Sequence, residues 1–174
     1  QLRGSAAPPL RRALIPYFLA YTEEARERGY PLIRSLALQF PSDPEAARHN
    51  DLFMLGDELL VAPVYTPNGR RSVYLPQGIW TRLRSNQSHR GRQVIGIEAE
   101  AGELPLFARN GSIVPLVNQD GEDRRIDLHY FPKLAGEFFL FESDLEDYSQ
   151  VHAAPAGEYM RLEIESKKAR EYEW

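Results

Sequence analysis

The chain has 174 residues, 43% of them hydrophobic and 26% charged, which suits one ordinary globular domain or two small ones with a buried core. A formal net charge of −4 offers no electrostatic footprint for nucleic acid or an anionic membrane surface, so neither is expected as a partner. The absence of cysteine excludes disulfides, thiolate metal sites and a cysteine nucleophile together.

Along the chain, Leu10, Ala13, Leu14, Tyr17, Phe18, Tyr21 and Ala25 recur at three- and four-residue steps, predicting an amphipathic helix over residues 10–28 with Gly29 as its stop. Pro16 lies inside that stripe and predicts a kink or a late start, because an interior proline removes a helical hydrogen bond. No apolar run approaches the ~20 residues that a membrane-spanning helix requires. The opening QLRGSAAPPLRR lacks the apolar core of a secretory signal, and the compartment is not legible.

Residues 32–40, LIRSLALQF, read as a strand closed by Pro41, Asp43 and Pro44, after which Asp43-Pro44-Glu45 resembles the start of a short helical turn. Residues 59–64, LLVAPV, are apolar without alternation, the pattern of a strand covered on both faces. Strand, connector and buried strand together predict a parallel α/β arrangement for the first third. A helix and two parallel strands cannot close a sheet, so the opening segment is expected to need cover from outside the chain.

From Thr66 onward the texture changes. Short strand-like stretches at 72–75, 79–83, 93–97, 104–108, 113–116, 126–130, 137–141 and 159–164 alternate with Gly, Pro, Asn and Asp, the spacing of an antiparallel sandwich or barrel. The fold class expected is therefore α/β passing to all-β near residue 65.

Few residues specify chemistry by themselves. His49, His89, His129 and His152 are far apart, with no second ligand at helix-face spacing, and no metal site is assigned. Glu142, Asp144, Glu146 and Asp147 form an acidic stretch that could in principle offer oxygen ligands to calcium, but the spacing is not that of an EF-hand and a solvated loop accounts for it. Asp51, Asp57 and Glu58 lie near a sheet terminus, and nothing tunes any pair of them apart as glycoside hydrolysis would need. Ser35 and Ser112 lack the Gly-x-Ser-x-Gly context of a nucleophile elbow, and Asn86-Gln87-Ser88 fits the short acceptor pattern for N-glycosylation.

Several stretches read in series resemble one family, the family 31 glycoside hydrolases of the α-glucosidase and α-xylosidase group. These are LIPYF, GYPLIRSL, FPSDPEA, LFMLGDELLVAPV, VYLPQGIW, LPLFARNGSIVPL and FPKLAGEFFLFESDLEDY, together covering roughly residues 8–150. The resemblance implies the last part of a (β/α)8 barrel at 1–65, a proximal β-sandwich at 66–120 and the start of a distal β-domain at 121–174. It also implies a retaining α-glycosidase whose nucleophile and acid lie on earlier barrel strands, so that no catalytic, substrate-binding or metal residue is assigned here and no cofactor is implied. The partners it implies are a carbohydrate, met through the complete enzyme, and the missing N-terminal barrel region or a partner chain. Three departures suggest a divergent member: Ser35 follows Arg34 where proline is usual, Leu52 precedes Phe53 where glutamine is usual, and the acidic turn has no closing glycine. Arg34 is a candidate for a structural ion pair near the strand end. Two alternatives stay open, a carbohydrate-binding module using Trp80, Tyr74 and Tyr130, and a structural domain docking through its α/β edge.

Overall fold

In a computed structural model of the chain, residues 7–117, 125–132, 134–141, 147–166 and 168 are described. They fall into two compact units, one of Gln1–Arg12 with Pro31–Asn110 and one of Ala13–Tyr30 with Gly111–Trp174. The expected single helix is two, α1 (Ala7–Ala13) and α2 (Ile15–Arg28). Pro16 sits in the first turn of α2, where its missing N–H has no partner to lose, so the late start is realised. Gly29 ends α2 in the left-handed region at φ 74°, its N–H donating to the Ala25 carbonyl at 3.0 Å.

The expected strand over 32–40 is cut short. β1 covers Ile33–Ser35, and α3 (Leu36–Gln39) follows because the Ser35 hydroxyl accepts the Leu38 N–H at 3.2 Å and caps a helical turn. The helical turn expected after Asp43 is a 3-10 turn at Ala46–Arg48, with the Asp43 carboxylate accepting the N–H groups of Glu45 and Ala46 at 3.1 and 3.4 Å. Then come β2 (Phe53–Leu55), β3 (Leu59–Val61), β4 (Arg70–Leu75), β5 (Ile79–Arg82), β6 (Ser88–Arg90), β7 (Gln93–Glu98) and β8 (Leu106–Arg109).

Six of these strands form one sheet in the order β1-β2-β3-β8-β5-β6, and every neighbouring pair is antiparallel. The parallel arrangement expected for the first third is thereby overturned. The apolar run that suggested it has a different cause: β3 lies between β2 and β8, and Leu59, Leu60 and Val61 are fully buried on both faces. Burial reports coverage, and either strand direction satisfies it.

β4 and β7 pair as a separate ribbon, and the core joins both sheets, with Leu36, Met54 and Leu60 in one cluster with Leu75, Trp80 and Phe107. The cover expected from outside is thus supplied, for these residues, by the chain's own later strands. Trp80 is fully buried, its indole N–H donating to the Pro76 carbonyl at 2.8 Å and its ring edge-on to Phe40 at 6.2 Å.

In the second unit, β9 (Ile113–Val117) pairs antiparallel with β10 (Ile126–Tyr130). β11 (Gly136–Phe141), β12 (Tyr148–Ala156) and β13 (Tyr159–Ser166) form a three-stranded antiparallel sheet. One face of that sheet, Phe138, Leu140, Val151 and Ala153, is buried. The apolar stripe of α2 covers it, with Tyr17 stacked on Phe138 at 5.8 Å and Tyr21 edge-on at 6.3 Å. β2, β6 and β12 were not anticipated: β6 contains no apolar residue, and β12 follows the acidic stretch with mostly small residues on its buried face.

Two glycines, Gly91 in the β6–β7 connection and Gly96 in β7, make opposite demands. A Cβ at Gly91 would fall 1.8 Å from the Pro76 carbonyl oxygen, whereas one at Gly96 meets nothing within 4 Å. Gly91→Ala is expected to destabilise by on the order of 2 kcal/mol, and Gly96→Ala to be neutral or slightly stabilising because the unfolded chain loses freedom. Urea denaturation midpoints of the two variants check this.

Candidate functional site

The carboxylates near the sheet terminus mark where chemistry could reside, and two of them, Asp51 and Asp57, are held by arginines. Arg34 is 2% exposed. Its Nε donates to the Pro31 carbonyl at 2.7 Å, and its Nη1 donates to Gln39 Oε1 at 3.0 Å and to the Asp57 carboxylate. Gln39 closes the triangle, donating from Nε2 to the same Asp57 oxygen at 2.7 Å. The local fold explains the meeting: the α3 turn returns Gln39 towards β1, and Gly56, at φ 57°, turns the β2–β3 connection to present Asp57. The ion pair expected at position 34 is present, and its partner is Asp57.

Asp51 binds Arg71, whose side chain is 9% exposed and also reaches the Pro63 carbonyl. Glu58 contributes its carbonyl, which accepts the Arg109 N–H at 2.8 Å. Asp51 and Asp57 are therefore each engaged by their own guanidinium. That geometry ties strands together and differs from two carboxylates facing one sugar bond across a cleft.

A second arginine–carboxylate group joins β5 to the loop before β8. Arg82 and Arg84 donate to the two Glu103 oxygens at 2.9 and 2.7 Å, and the Glu100 N–H adds a third bond at 3.0 Å. Burial alone would raise the Glu103 pKa, but the backbone N–H and the two guanidiniums outweigh it, and the carboxyl is held below its ordinary value. Tyr74 is 5% exposed and donates to Asp43 Oδ2 at 2.7 Å. Burial, aided by that carboxylate, pushes its phenol up to about 12.

The four histidines are placed separately. His49 stacks on Tyr74 at 4.9 Å, His89 lies edge-on to Phe107 at 6.5 Å, and His152 is 4.0 Å from Glu137. His129 sits in β10 opposite Val114, where burial lowers its pKa. Among the described residues no group of three or more His, Asp or Glu could hold a metal ion. The acidic residues 142–146 lie outside the described residues, while Asp147 accepts from Lys168 at 2.9 Å. Ser35 is a helix cap, Ser112 is buried, and Asn86 is exposed in the β5–β6 turn at φ 55°. Trp80 and Tyr74, considered above as sugar platforms, are core residues, and Tyr130 is half-buried with its hydroxyl on the Leu134 carbonyl.

Asp57→Ala removes one acceptor from a guanidinium that stays buried, and a loss on the order of 2 kcal/mol is expected. The double variant Arg34→Leu/Asp57→Ala should lose less than the sum of the single ones, read from chemical denaturation as a double-mutant cycle. The lowered pKa of Glu103 means that its contribution is complete above the ordinary value of 4.5 and is lost as pH falls through the folded-state value. Glu103→Gln should lower the thermal midpoint at neutral pH and flatten its fall below about pH 4.5.

The sequence profile of the glycosyl hydrolase family 31 C-terminal domain matches residues 29–114, the stretch carrying β1 to β8 and both arginine–carboxylate groups. Alpha-glucosidase 2 of Bacillus thermoamyloliquefaciens is 30% identical over 163 residues, which is 90% of this chain and 20% of that protein. The alpha-glucosidase of Saccharolobus solfataricus is 36% identical over 107 residues, 62% of this chain and 15% of that protein. Among solved structures, the GH31 dextranase of Flavobacterium johnsoniae complexed with glucose aligns with a TM-score of 0.82 at 28% identity, over 91% of this chain and 22% of that one. The GH31 alpha-xylosidase of Xanthomonas citri aligns with a TM-score of 0.74 at 30% identity, over 83% and 17%. This chain spans a fifth or less of the length of these two curated relatives. It belongs to glycoside hydrolase family 31, and its residues correspond to the C-terminal region of that family.

Proposed function

We propose that this chain is the C-terminal part of a retaining α-glycosidase acting on terminal α-linked glucosides or xylosides. Residues 1–65 supply the end of its (β/α)8 barrel, 66–120 a proximal sandwich and 121–174 the start of a distal β-domain. The nucleophilic aspartate and the general acid come from polypeptide outside this sequence, so the chain alone is inactive. In the complete enzyme one carboxylate attacks the anomeric carbon, a second protonates the leaving oxygen, and water then releases the sugar with its configuration retained. This chain's contribution is to close and brace the scaffold that holds those groups.

The observation that carries this reading is the outer edge of β1. Among the described residues β1 pairs with β2 alone, and Ile33 in β1 and Leu38 in the α3 turn after it are 61% and 46% exposed. An outermost strand with large exposed apolar side chains invites a partner. The Arg34–Gln39–Asp57 triangle fixes β1 to the β2–β3 turn, so the edge is offered rigidly. The engagement of Asp51 and Asp57 by arginines also supports a bracing role over a catalytic one.

Extending the reading frame upstream and assaying 4-nitrophenyl α-glucoside and α-xyloside tests the proposal. Activity is expected from the extended protein and none from the 174-residue chain; turnover by the chain alone overturns it. Ile33→Glu should change the stability of this chain by no more than about 0.5 kcal/mol and lower the thermal midpoint of the extended enzyme by several degrees. An extended enzyme indifferent to that change would refute docking at β1.

A further inference from the structure

The three-stranded sheet has a second face that faces away from α2. Strand alternation puts Glu137, Phe139 and Phe141 of β11 on it, and the register sets Tyr148, Gln150 and His152 of β12 opposite Phe141, Phe139 and Glu137 respectively. A solvent face of this kind is ordinarily polar. Here Phe139 is 41% exposed, and Tyr148 ties Phe139 and Phe141 into one cluster, with ring centroids at 5.9 and 5.7 Å.

We infer that this face binds a neutral α-glucan oligosaccharide, one pyranose ring stacking on Phe139 while Gln150, Glu137 and His152 meet its hydroxyls. The neighbouring chemistry selects the ligand. Gln150 donates to Glu137, and His152 stands 4.0 Å from the same carboxylate, so amide, carboxylate and imidazole line the row beside the ring. A sugar offers an apolar C–H face to an aromatic ring and a rim of hydroxyls to such groups. Glu163 and Glu165 extend the same face across β13, with Arg161 beside them paired to Glu163, so the border carries mixed charge and suits a neutral ligand. The aromatic patch is too small and too closely bordered by charge for a large apolar partner. The choice of an α-glucan rests on the glycosidase reading above, whereas the ring and its polar border do not depend on it.

The test is titration of isomaltotriose and maltotriose into the 174-residue chain, followed by calorimetry and by amide chemical shifts. Saturable binding with Kd on the order of 1 mM is expected, with shifts centred on residues 137–141 and 148–152. Phe139→Ala should weaken it about tenfold or more, Phe139→Tyr should retain it, and Tyr159→Ser at the β12–β13 turn should leave it unchanged. Circular dichroism of each variant separates lost binding from lost fold. The inference is overturned by no saturation with either sugar, by binding that Phe139→Ala does not alter, or by concentration-dependent self-association that Phe139→Ala abolishes, which would assign the rings to a second copy of the chain. Failure here leaves the aryl-glycoside assay of the extended enzyme untouched, and failure of that assay leaves sugar binding by this chain standing.

Discussion

The six-stranded sheet depends on the two-sided pairing of β3. Leu59, Leu60 and Val61 face Leu55, Met54 and Phe53 on one side and Ala108, Phe107 and Leu106 on the other. β1 reaches the sheet only through β2, and β5 and β6 only through β8, so three residues join two halves that otherwise share no ladder. Both faces of β3 are dry, which shields its backbone hydrogen bonds from competing water and makes any polar substitution there costly.

Charge is used in this unit to fix geometry that the apolar core leaves free. Arg34, Arg71 and Arg82 are nearly buried, and each engages a carboxylate from a different element. Hydrophobic contact is non-directional, whereas a guanidinium with several acceptors fixes distance and angle. The Arg34 triangle holds a strand of only three residues in place, which its single ladder would do poorly.

Much of this was legible in the sequence where a local rule had no competitor. Pro16 and Gly29 act through their own backbone chemistry, and the apolar stripe of α2 covers a sheet as its period implies. The β-rich character after Thr66 follows from turn spacing, and Arg34, a candidate for an ion pair from its place near a strand end, makes one. Strand direction at β3 was not legible, because a run covered on both faces looks alike in either orientation. Residues 36–39 read as strand because their apolar content hid a helix that one serine hydroxyl initiates. The partner of Arg34 could not be read either, since Asp57 meets it only after two turns bring distant positions together. Trp80 and Tyr74 could be read as a surface platform, although aromatics at strand spacing more often belong to a core, and the packing of the β4–β7 ribbon and the 43–49 loop decides for the core.

The β3–β8 ladder also has a temporal side. During synthesis residues 59–61 are added well before residues 106–109 exist, so an apolar strand waits with one edge unsatisfied until β8 has been made and released. Contacts so distant along the chain form late and slowly. The nascent polypeptide therefore passes through an interval in which its most water-averse strand is open to wrong partners, and a chaperone that holds this segment until β8 arrives would raise the yield of folded protein.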